Sequence, residues 1–262
     1  MVRITVKCPQ CGSDDIVKHG KSKAGIQKYE CRNKECNRRV FQLEYQYNGC
    51  KPGISQQILE MAINGSGIRD TSRVLKVSQD KVMDTLKKKE KWNRQINIDY
   101  INNHEDPSAI LFRIVRVEEV EMDEMWSFYH DKGHQVWLWH AIDHNTGEML
   151  AYTFGTQEDK VLKELMDLLS EYNIGKFYTD GNQSYERVIT PASLKLDEEE
   201  KSEAHEIGKE HTQKIERIHL SLRTWVKRLA RKTICFSKTL RMHKIVVGLC
   251  INVKFFGRRL IA

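Results

Sequence analysis

The stretch VEEVEMDEMW (residues 117–126) decides the fold of the larger part of this chain. It has the character of a β-strand with an acidic centre. Residues 135–142 and 148–154 predict two further strands, and residues 143–147 predict the hairpin turn between them. Apolar residues at helical spacing then predict an amphipathic helix over residues 158–172.

The segment after this helix predicts one more strand and at least two helices. Residues 176–179 read as the strand, which ends at Asp180. Residues 182–188 predict a short helix, and residues 211–231 predict a long helix. The apolar stripe of the long helix consists of Ile215, Ile218, Leu222, Trp225 and Leu229. Three antiparallel strands, a helix, a fourth strand and later helices are the order of a ribonuclease H-like domain.

Three acids lie on elements that a ribonuclease H-like fold brings together. Asp123 lies in the first strand, Asp180 at the end of the fourth, and Glu216 on the late helix. Carboxylates brought close together repel one another until a metal binds, which favours a metal site over a structural cluster. The three acids therefore predict a site for two Mg²⁺ (or Mn²⁺) ions that catalyse phosphodiester chemistry.

Each acid also has a structural interpretation. Asp123 has acidic neighbours at Glu119, Glu121 and Glu124, and composition alone does not choose among them. Asp180 precedes a glycine and suits a turn, whereas Glu216 suits a solvated helix position. Asp143 is a rival metal ligand, but its Asp-x-x-Thr-Gly context favours a hairpin turn.

Arg223 follows Glu216 by seven residues, which is nearly two helical turns. The two side chains therefore project on the same side of the helix, where the cation of Arg223 would hold a DNA phosphate. His219 lies on the same face. A surface arginine without such a role is an equal interpretation of this spacing.

Four of the seven cysteines lie in the first 36 residues. Cys8 and Cys11 form one close pair, and Cys31 and Cys36 form a second pair after a strand–turn–strand segment. Such spacing places four thiolates tetrahedrally around one structural Zn²⁺, which would supply the stability that so short a segment lacks. Two disulfides are the alternative, disfavoured for a chain that reads as cytosolic. The basic character of the segment favours nucleic acid over a protein partner.

Residues 55–91 predict three helices, of which the last two form a helix-turn-helix. Ser55 is the expected cap of the first helix and Ser78 of the third, which would run from Gln79 to about Trp92. On the second helix Val74 is expected to face inward. The third helix would enter the DNA major groove with Gln79 and Lys81 near its start. Its phosphate contacts would come from Lys87, Lys88 and Lys89. A plain three-helix packing unit is the alternative.

Charge and composition agree with a nucleic-acid partner. Residues 1–100 carry a net charge of +9, residues 101–200 carry −13 and residues 201–262 carry +11. Two basic flanks around an acidic centre suggest a polyanion held at both ends. No apolar run is long enough for a membrane span, and the first seven residues lack the apolar core of a secretory signal, so we expect a cytoplasmic protein with no membrane partner.

These features predict an α+β or α/β protein of several domains. We expect a zinc ribbon at residues 1–48, a helix-turn-helix domain at 52–92, a linker at 93–113, and a ribonuclease H-like catalytic domain with basic C-terminal helices at 114–262.

Several motifs together resemble the insertion-sequence-one family of bacterial and archaeal transposases. The N-terminal resemblance is carried by the Cys8–Cys11 knuckle, Gly20-Lys21-Ser22, Met61-Ala62-x-Asn64-Gly65 and Gly67-x-Arg69. The C-terminal resemblance is carried by Glu121-Met122-Asp123-Glu124-x-Trp126, Thr179-Asp180-Gly181, Thr212-Gln213-x-Ile215-Glu216-Arg217, Phe236-Ser237-Lys238-Thr239 and Asn252-x-Lys254.

This resemblance implies a DDE transposase, acting on the bacterial or archaeal nucleoid, that binds terminal inverted repeats and joins the freed 3′-ends to target DNA. It implies that Asp123, Asp180 and Glu216 are the catalytic acids, and Arg223 matches a basic position of the family. Both reading frames would be fused in one chain. Residues 190–203 read as an insertion that forms a surface loop. Because two ends must be held together, we expect a homodimer or larger assembly.

Two other functions stay open at this stage. One is a DNA-binding regulator whose catalytic domain is inactive. The other is a metal-dependent DNA nuclease or resolvase of the same fold, which would cleave DNA without joining ends. A tyrosine recombinase is disfavoured because no tyrosine follows Tyr185.

Overall fold

The structure is a computed structural model that describes residues 5–37, 40–104, 115–190 and 204–260. Apart from Thr190, the insertion expected at residues 190–203 lies outside the described residues, as does the 105–113 part of the expected linker. No helix in the described ranges combines the length and the hydropathy needed to cross a lipid bilayer.

The N-terminal sheet has three short antiparallel strands. These are β1 (Ile16–Lys21), β2 (Gln27–Cys31) and β3 (Val40–Gln42), in the order β1-β2-β3. Gly25 adopts a φ of 80° in the β1–β2 turn, and Gly20 adopts a φ of 63° where the β1–β2 register shifts. The strand–turn–strand prediction is confirmed: Gly25 permits the turn, and Gly20 permits the irregularity within β1.

Three helices follow the ribbon, as the sequence predicts. They are α1 (Ile54–Ile63), α2 (Ile68–Leu75) and α3 (Gln79–Lys87). Ser78 caps α3, because its Oγ accepts a hydrogen bond from the backbone N–H of Lys81 at 3.1 Å. The sequence places the end of α3 near Trp92, but residues 88–92 form hydrogen-bonded turns and the helix ends five residues earlier.

Two further details of these helices correct the sequence prediction. Gly53, rather than Ser55, is the N-cap of α1, since the chain enters the helix through a left-handed φ of 84° that glycine tolerates. Val74 is 58% exposed rather than inward-facing, because Thr71, which is 1% exposed, takes the buried position on α2.

The region that the sequence predicts to be catalytic, here called the catalytic domain, is built on a five-stranded mixed sheet. Its strands are β4 (Val115–Phe128), β5 (Gln135–Asp143), β6 (Met149–Gly155), β7 (Tyr172–Thr179) and β8 (His205–Ile207). The order is β6-β5-β4-β7-β8, with antiparallel pairing among β4, β5 and β6 and parallel pairing of β4 with β7 and of β7 with β8. The sequence predicts the first four of these strands and misses β8.

Helices cover both faces of this sheet. They are α5 (Asp159–Leu169), α6 (Gln183–Val188), α7 (Gln213–Trp225) and α8 (Leu240–Lys254). Val120 and Met122 of β4 share a core with α5 and α6, whereas Met125 shares a core with α7 and α8. Successive residues of a strand point to opposite faces, so Asp123 lies on the same face as Met125, towards α7.

Helix α7 is shorter than the sequence predicts. A separate 3₁₀ turn occupies Lys209–His211, and the extended backbone of Val226 ends the helix after Trp225. Trp225 is 48% exposed rather than part of the buried stripe, and its ring lies 5.5 Å from that of Phe255.

The segment that the sequence predicts as an irregular linker contains a packed helix, α4 (Ile98–Asn103). Asn97 caps it by accepting a hydrogen bond from the backbone N–H of Tyr100, and the Asn97 side-chain amide donates to the carbonyl of Met149 on β6. Tyr100 is 5% exposed and donates its hydroxyl to Asp143 at 2.7 Å. This first part of the linker is therefore integrated with the catalytic sheet.

The helix-turn-helix and the C-terminal helix share one hydrophobic core. Ile58 and Leu59 of α1 and Leu86 of α3 are buried in the same cluster as Ile245 and Leu249 of α8. An ion pair between Arg241 and Glu90, at 2.7 Å, joins the same two parts at the surface. The three N-terminal helices consequently pack on the catalytic domain.

Asn252 of α8 makes a dense set of buried hydrogen bonds. Its Oδ1 accepts from the Arg94 backbone N–H at 3.0 Å and from Arg258 at 2.6 Å. The two N–H groups of its Nδ2 are shared among three acceptors, namely the carbonyls of Arg94 and Gly248 at 2.9 Å and the hydroxyl of Tyr152 at 3.2 Å. This side chain ties α8 to β6 and to the chain that leads into α4.

We predict that Asn252→Ala lowers the free energy of unfolding of the catalytic domain by at least about 2 kcal/mol, because several buried polar groups lose their partner. Tyr152→Phe removes one of those partners and should cost about 1 kcal/mol. Urea unfolding followed by circular dichroism measures both losses. Equal losses for the two variants would contradict this role of Asn252.

Candidate active site and zinc site

The four N-terminal cysteines lie together at one end of the ribbon. The Sγ atoms of Cys8 and Cys36 are 3.6 Å apart, and those of Cys11 and Cys31 are 3.7 Å apart. All four sulfurs lie within 4.8 Å of one another, and the thiols are free rather than paired in disulfides. Sulfurs bound tetrahedrally at ~2.3 Å from a zinc ion stand about 3.8 Å apart, so the arrangement fits Zn²⁺.

The pKa values of two of these thiols are shifted in opposite directions. Burial raises the pKa of Cys31 to about 12. Burial also acts on Cys8, but backbone hydrogen bonds from Cys11 and Gln10 outweigh it and lower the pKa of Cys8 to about 7. Binding of Zn²⁺ requires the thiolate form of each cysteine, so it would release the protons that these thiols carry.

The pairing of β4 with β7 brings two of the predicted acids together. Glu121 of β4 is in register with Tyr178 of β7, so the parallel ladder, continued by two residues, sets Asp123 beside Asp180. Asp180 follows β7 directly and is half-buried. Its Oδ1 accepts a hydrogen bond from the backbone N–H of Asn182 at 3.0 Å, which holds the loop before α6.

Asp123 is at the centre of the acidic cluster. Its side chain is 18% exposed, and its Oδ1 accepts from the backbone N–H of Glu124 at 2.7 Å. Burial raises the pKa of Asp123 to about 7, although the hydrogen bond from Glu124 lowers it in part. The negative charges of Glu124, Asp180 and Glu216 add to the rise in this pKa. The charges of the other two predicted acids therefore both act on Asp123.

Glu216 reaches this cluster from the first turn of α7 and is exposed. Among the described residues, two groups of three or more possible ligands have their ligand atoms within 4.8 Å of one another, namely the four cysteines and the trio His130, Asp131 and His134. The three acids are thus close enough to interact electrostatically and more widely spaced than the cysteines.

The trio at the tip of the β4–β5 hairpin is explained by its own hydrogen bonds. Asp131 accepts from the Nδ1 atoms of His130 and His134, at 2.8 and 3.0 Å, and from the backbone N–H of Gly133 at 2.8 Å. All three side chains are exposed. Asp143 likewise forms a turn, since it accepts from Tyr100, from the backbone N–H of Asn145 and from Thr146.

His219 and Arg223 follow Glu216 on α7. The Nδ1 of His219 lies 3.8 Å from Oδ2 of Asp123, and the ring of His219 lies 4.9 Å from that of His140. Burial lowers the pKa of His219 to about 4, and the charge of Arg223 contributes, so the imidazole is neutral near pH 7. Arg223 is half-buried and interacts electrostatically with Asp123.

Sequence reasoning left Glu124 undecided, and the structure gives it a supporting position. Its Oε1 accepts from Asn182 at 2.7 Å and from Gln157 at 3.2 Å, and its Oε2 accepts from Tyr185 at 3.0 Å. Glu124 thereby links β4 to the loop that carries Asp180. The position of Glu124 in the sequence does not indicate this role, because its three hydrogen-bond donors come from other parts of the chain.

The predicted DNA-binding residues lie along α3 and just after it. Gln79, Lys87 and Lys88 are exposed. Lys81 is half-buried, with its Nζ 3.4 Å from Oγ of Ser55, and the Nζ of Lys89 lies 5.4 Å from the centre of the Trp92 ring.

Comparison with known families covers nearly the whole chain. Residues 1–37 match the InsA N-terminal domain, a zinc ribbon, and residues 45–90 match the InsA C-terminal domain, a helix-turn-helix. Residues 116–257 match the domain described as IS1 transposase, of the DDE type, over more than half of the chain. The chain belongs to the IS1 transposase family. It carries the zinc ribbon, the helix-turn-helix and the DDE domain of that family in one polypeptide.

Individual relatives agree with this assignment. The insertion element iso-IS1n protein InsB of Shigella dysenteriae is 45% identical over 136 residues, which are 52% of this chain and 95% of that protein. The insertion element IS1 4 protein InsB of Escherichia coli K12 is 34% identical over 154 residues, which are 57% of this chain and 86% of that protein. A simian T-cell lymphotropic virus intasome structure aligns with a TM-score of 0.38 and 11% identity, over 76% of this chain and 68% of that chain, too weakly to support an argument.

The zinc site of this IS1 transposase generates a stoichiometric prediction. The purified protein should contain one zinc ion per chain, and Cys31→Ala should lose it, because three sulfurs do not close a structural site. Zinc content measured by atomic emission tests this, with Cys50→Ala as the control, since Cys50 is exposed and lies outside the cluster. Zinc retained in full by the Cys31 variant would refute the four-cysteine site.

Proposed function

We propose that this protein binds the terminal inverted repeats of its own insertion sequence and catalyses metal-dependent 3′-end cleavage and strand transfer into target DNA. The supporting observation is the convergence of Asp123, Asp180 and Glu216, from β4, the end of β7 and α7, on a cluster in which burial and the neighbouring negative charges raise the pKa of Asp123. Membership of a transposase family favours this reaction over cleavage alone.

The same three acids would hold the Mg²⁺ or Mn²⁺ ions. The three side chains fit these cations, because they are carboxylates that repel one another and are not fully buried, and Mg²⁺ and Mn²⁺ prefer oxygen ligands. When two such ions are bound, they activate the attacking oxygen and stabilise the leaving oxygen of a phosphodiester.

The side chains around the acids have roles of their own in this proposal. Glu124 holds the loop of Asp180 through Asn182. Arg223 presents a fixed positive charge next to Asp123, where it would bind a DNA phosphate. Neutral His219 packs beside Asp123 without adding a charge to the cluster.

The DNA-binding part of the proposal rests on α3. In a helix-turn-helix the second helix enters the major groove with its N-terminal residues on the base edges. Gln79 and Lys81 would then read bases, and Lys87, Lys88 and Lys89 would contact phosphates. Because transposition holds two ends together, the active complex would be a dimer or a larger assembly of this chain on double-stranded DNA.

We expect Asp123→Asn, Asp180→Asn and Glu216→Gln each to reduce cleavage and joining to the level seen with EDTA, while binding of the ends persists. Labelled duplexes with the element's own ends, a target plasmid and Mn²⁺ or Mg²⁺ provide the assay. Glu186→Gln is the matched control, since Glu186 is an exposed acid of α6 six residues from Asp180.

The same assay separates this proposal from its rivals. End binding by the wild type without cleavage in either metal would favour a DNA-binding regulator with an inactive catalytic domain. Cleavage without joining would favour a metal-dependent nuclease or resolvase.

The phosphate contacts generate a second prediction. Lys87→Ala and Lys88→Ala should each make the slope of log affinity against log salt concentration shallower by about 0.9, because each loss retains one counterion on the DNA. Fluorescence anisotropy with the terminal repeat measures the slopes. Lys160→Ala, an exposed lysine of α5, should leave the slope unchanged. Equal slopes for all four proteins would remove these lysines from the interface.

A further inference from the structure

A fully buried carboxylate lies next to the candidate active site. Glu121 precedes Asp123 by two residues on β4, so both side chains point to the face of the sheet that α7 covers. The Glu121 side chain is 0% exposed, whereas that of Asp123 is 18% exposed. A carboxylate excluded from water is costly unless hydrogen bonds or an opposite charge compensate it.

Both oxygens of Glu121 have a partner. Oε2 accepts a hydrogen bond from the backbone N–H of Ile215 at 2.8 Å, and Oε1 lies 2.6 Å from Nδ1 of His144, which donates to it. Ile215 is the third residue of α7, where a backbone N–H has no partner within the helix. The helix has no side-chain cap of its own, since Thr212 makes no capping hydrogen bond.

Glu121 therefore caps α7 from the neighbouring strand. Its negative charge lies at the positive end of the helix dipole, which adds to the hydrogen bond. Ile215 directly precedes Glu216. One buried hydrogen bond thus connects the strand of Asp123 to the helix turn that carries the third acid.

His144 is itself fixed from several directions. Its backbone N–H donates to the Glu119 carbonyl at 2.9 Å, and its ring lies 5.1 Å from that of Tyr178. Tyr178 donates its hydroxyl to Glu119 at 3.0 Å. Lys214, the second residue of α7, donates its Nζ to the His144 carbonyl. The start of α7 is consequently joined to the hairpin turn through Lys214 and to β4 through Ile215.

We propose that Glu121, held by His144, is the positioning residue that sets Glu216 against Asp123 and so completes the cation site. This role rests on the proposed function, since it requires the three acids to bind one set of ions. Glu121 itself is not assigned as an ion ligand, because both of its oxygens already accept hydrogen bonds from the protein.

The test uses Mn²⁺ alone as the probe, on the full zinc-loaded chain. The free Mn²⁺ signal in electron paramagnetic resonance gives the dissociation constant, and the transposition assay gives the half-saturating Mn²⁺ concentration. Glu121→Leu removes both acceptors and should raise each value by about ten-fold, the size of effect seen when a group that orients a metal ligand is lost. The rate at saturating Mn²⁺ should recover towards that of the wild type.

A loss of folded protein alone would lower the rate at saturation and leave the half-saturating concentration unchanged. Glu121→Gln keeps an oxygen for the Ile215 N–H and should stay within about three-fold of the wild type. Tyr172→Phe is the matched structural control, since it removes the buried hydroxyl that donates to the carbonyls of Asn97 and Leu150 at the start of β7, the opposite end of that strand from Asp180, and it should bind Mn²⁺ normally.

A second comparison asks whether Glu121 acts through Glu216. In a Glu216→Gln background, Glu121→Leu should cause no further loss of Mn²⁺ binding, because the ligand that it positions is already gone. An equal further loss in that background would overturn the proposal, as would normal Mn²⁺ binding by folded Glu121→Leu.

If Glu121→Leu fails to fold, His144→Ala decides the question. Weaker Mn²⁺ binding by at least about three-fold supports the positioning role, and unchanged binding overturns it. Failure of the wild type to bind Mn²⁺ at a site that Asp180→Asn abolishes would overturn the proposed function, and the positioning role with it.

Discussion

The parallel hydrogen bonding between β4 and β7 is the contact on which the rest of the catalytic domain depends. It sets the end of β7 beside the middle of β4, which brings Asp180 to Asp123. Parallel strands need a crossover, and α5 provides it while burying one face of the sheet. The opposite face is left for α7 and α8. A shift of this pairing by one residue would turn every side chain of β7 to the other face and separate the two acids.

The remaining helices are fixed by contacts that reach across the molecule. The buried carboxylate of Glu121 holds the start of α7, and Asn252 holds α8 to β6. Because α8 also shares its core with α1 and α3, the DNA-binding helices and the acidic cluster rest on one continuous interior. The packing of this shared core would thus fix the distance between DNA bound by the helix-turn-helix and the acidic cluster. The zinc ribbon, by contrast, has a small core of its own.

Much of this could be predicted from sequence because the signals are local. Cysteine spacing, helical periodicity and the order of elements predicted the ribbon, the helix-turn-helix and the three acids. The capping interaction of Glu121 could not be predicted, since Ile215 is 94 residues away and sequence patterns identify a cap only next to the helix itself. The strand β8 has three residues, which are too few to show the alternation of apolar and polar side chains that predicts a strand. The prediction that Val74 faces inward was wrong because Thr71 occupies the buried position on α2. Packing determines which residue is buried there, and hydrophobicity alone does not predict it.

We propose that residues from three separate elements, β4, the end of β7 and α7, form one cation site. Iron-mediated backbone cleavage tests it directly: Fe²⁺ is bound in place of Mg²⁺ by the zinc-loaded chain, ascorbate and peroxide are added, and the cut positions are mapped by mass spectrometry. We predict cuts close to Asp123, Asp180 and Glu216 that disappear together when excess Mg²⁺ competes. Cuts confined to the exposed His130–His134 turn, or to only one of the three acids, would contradict the account.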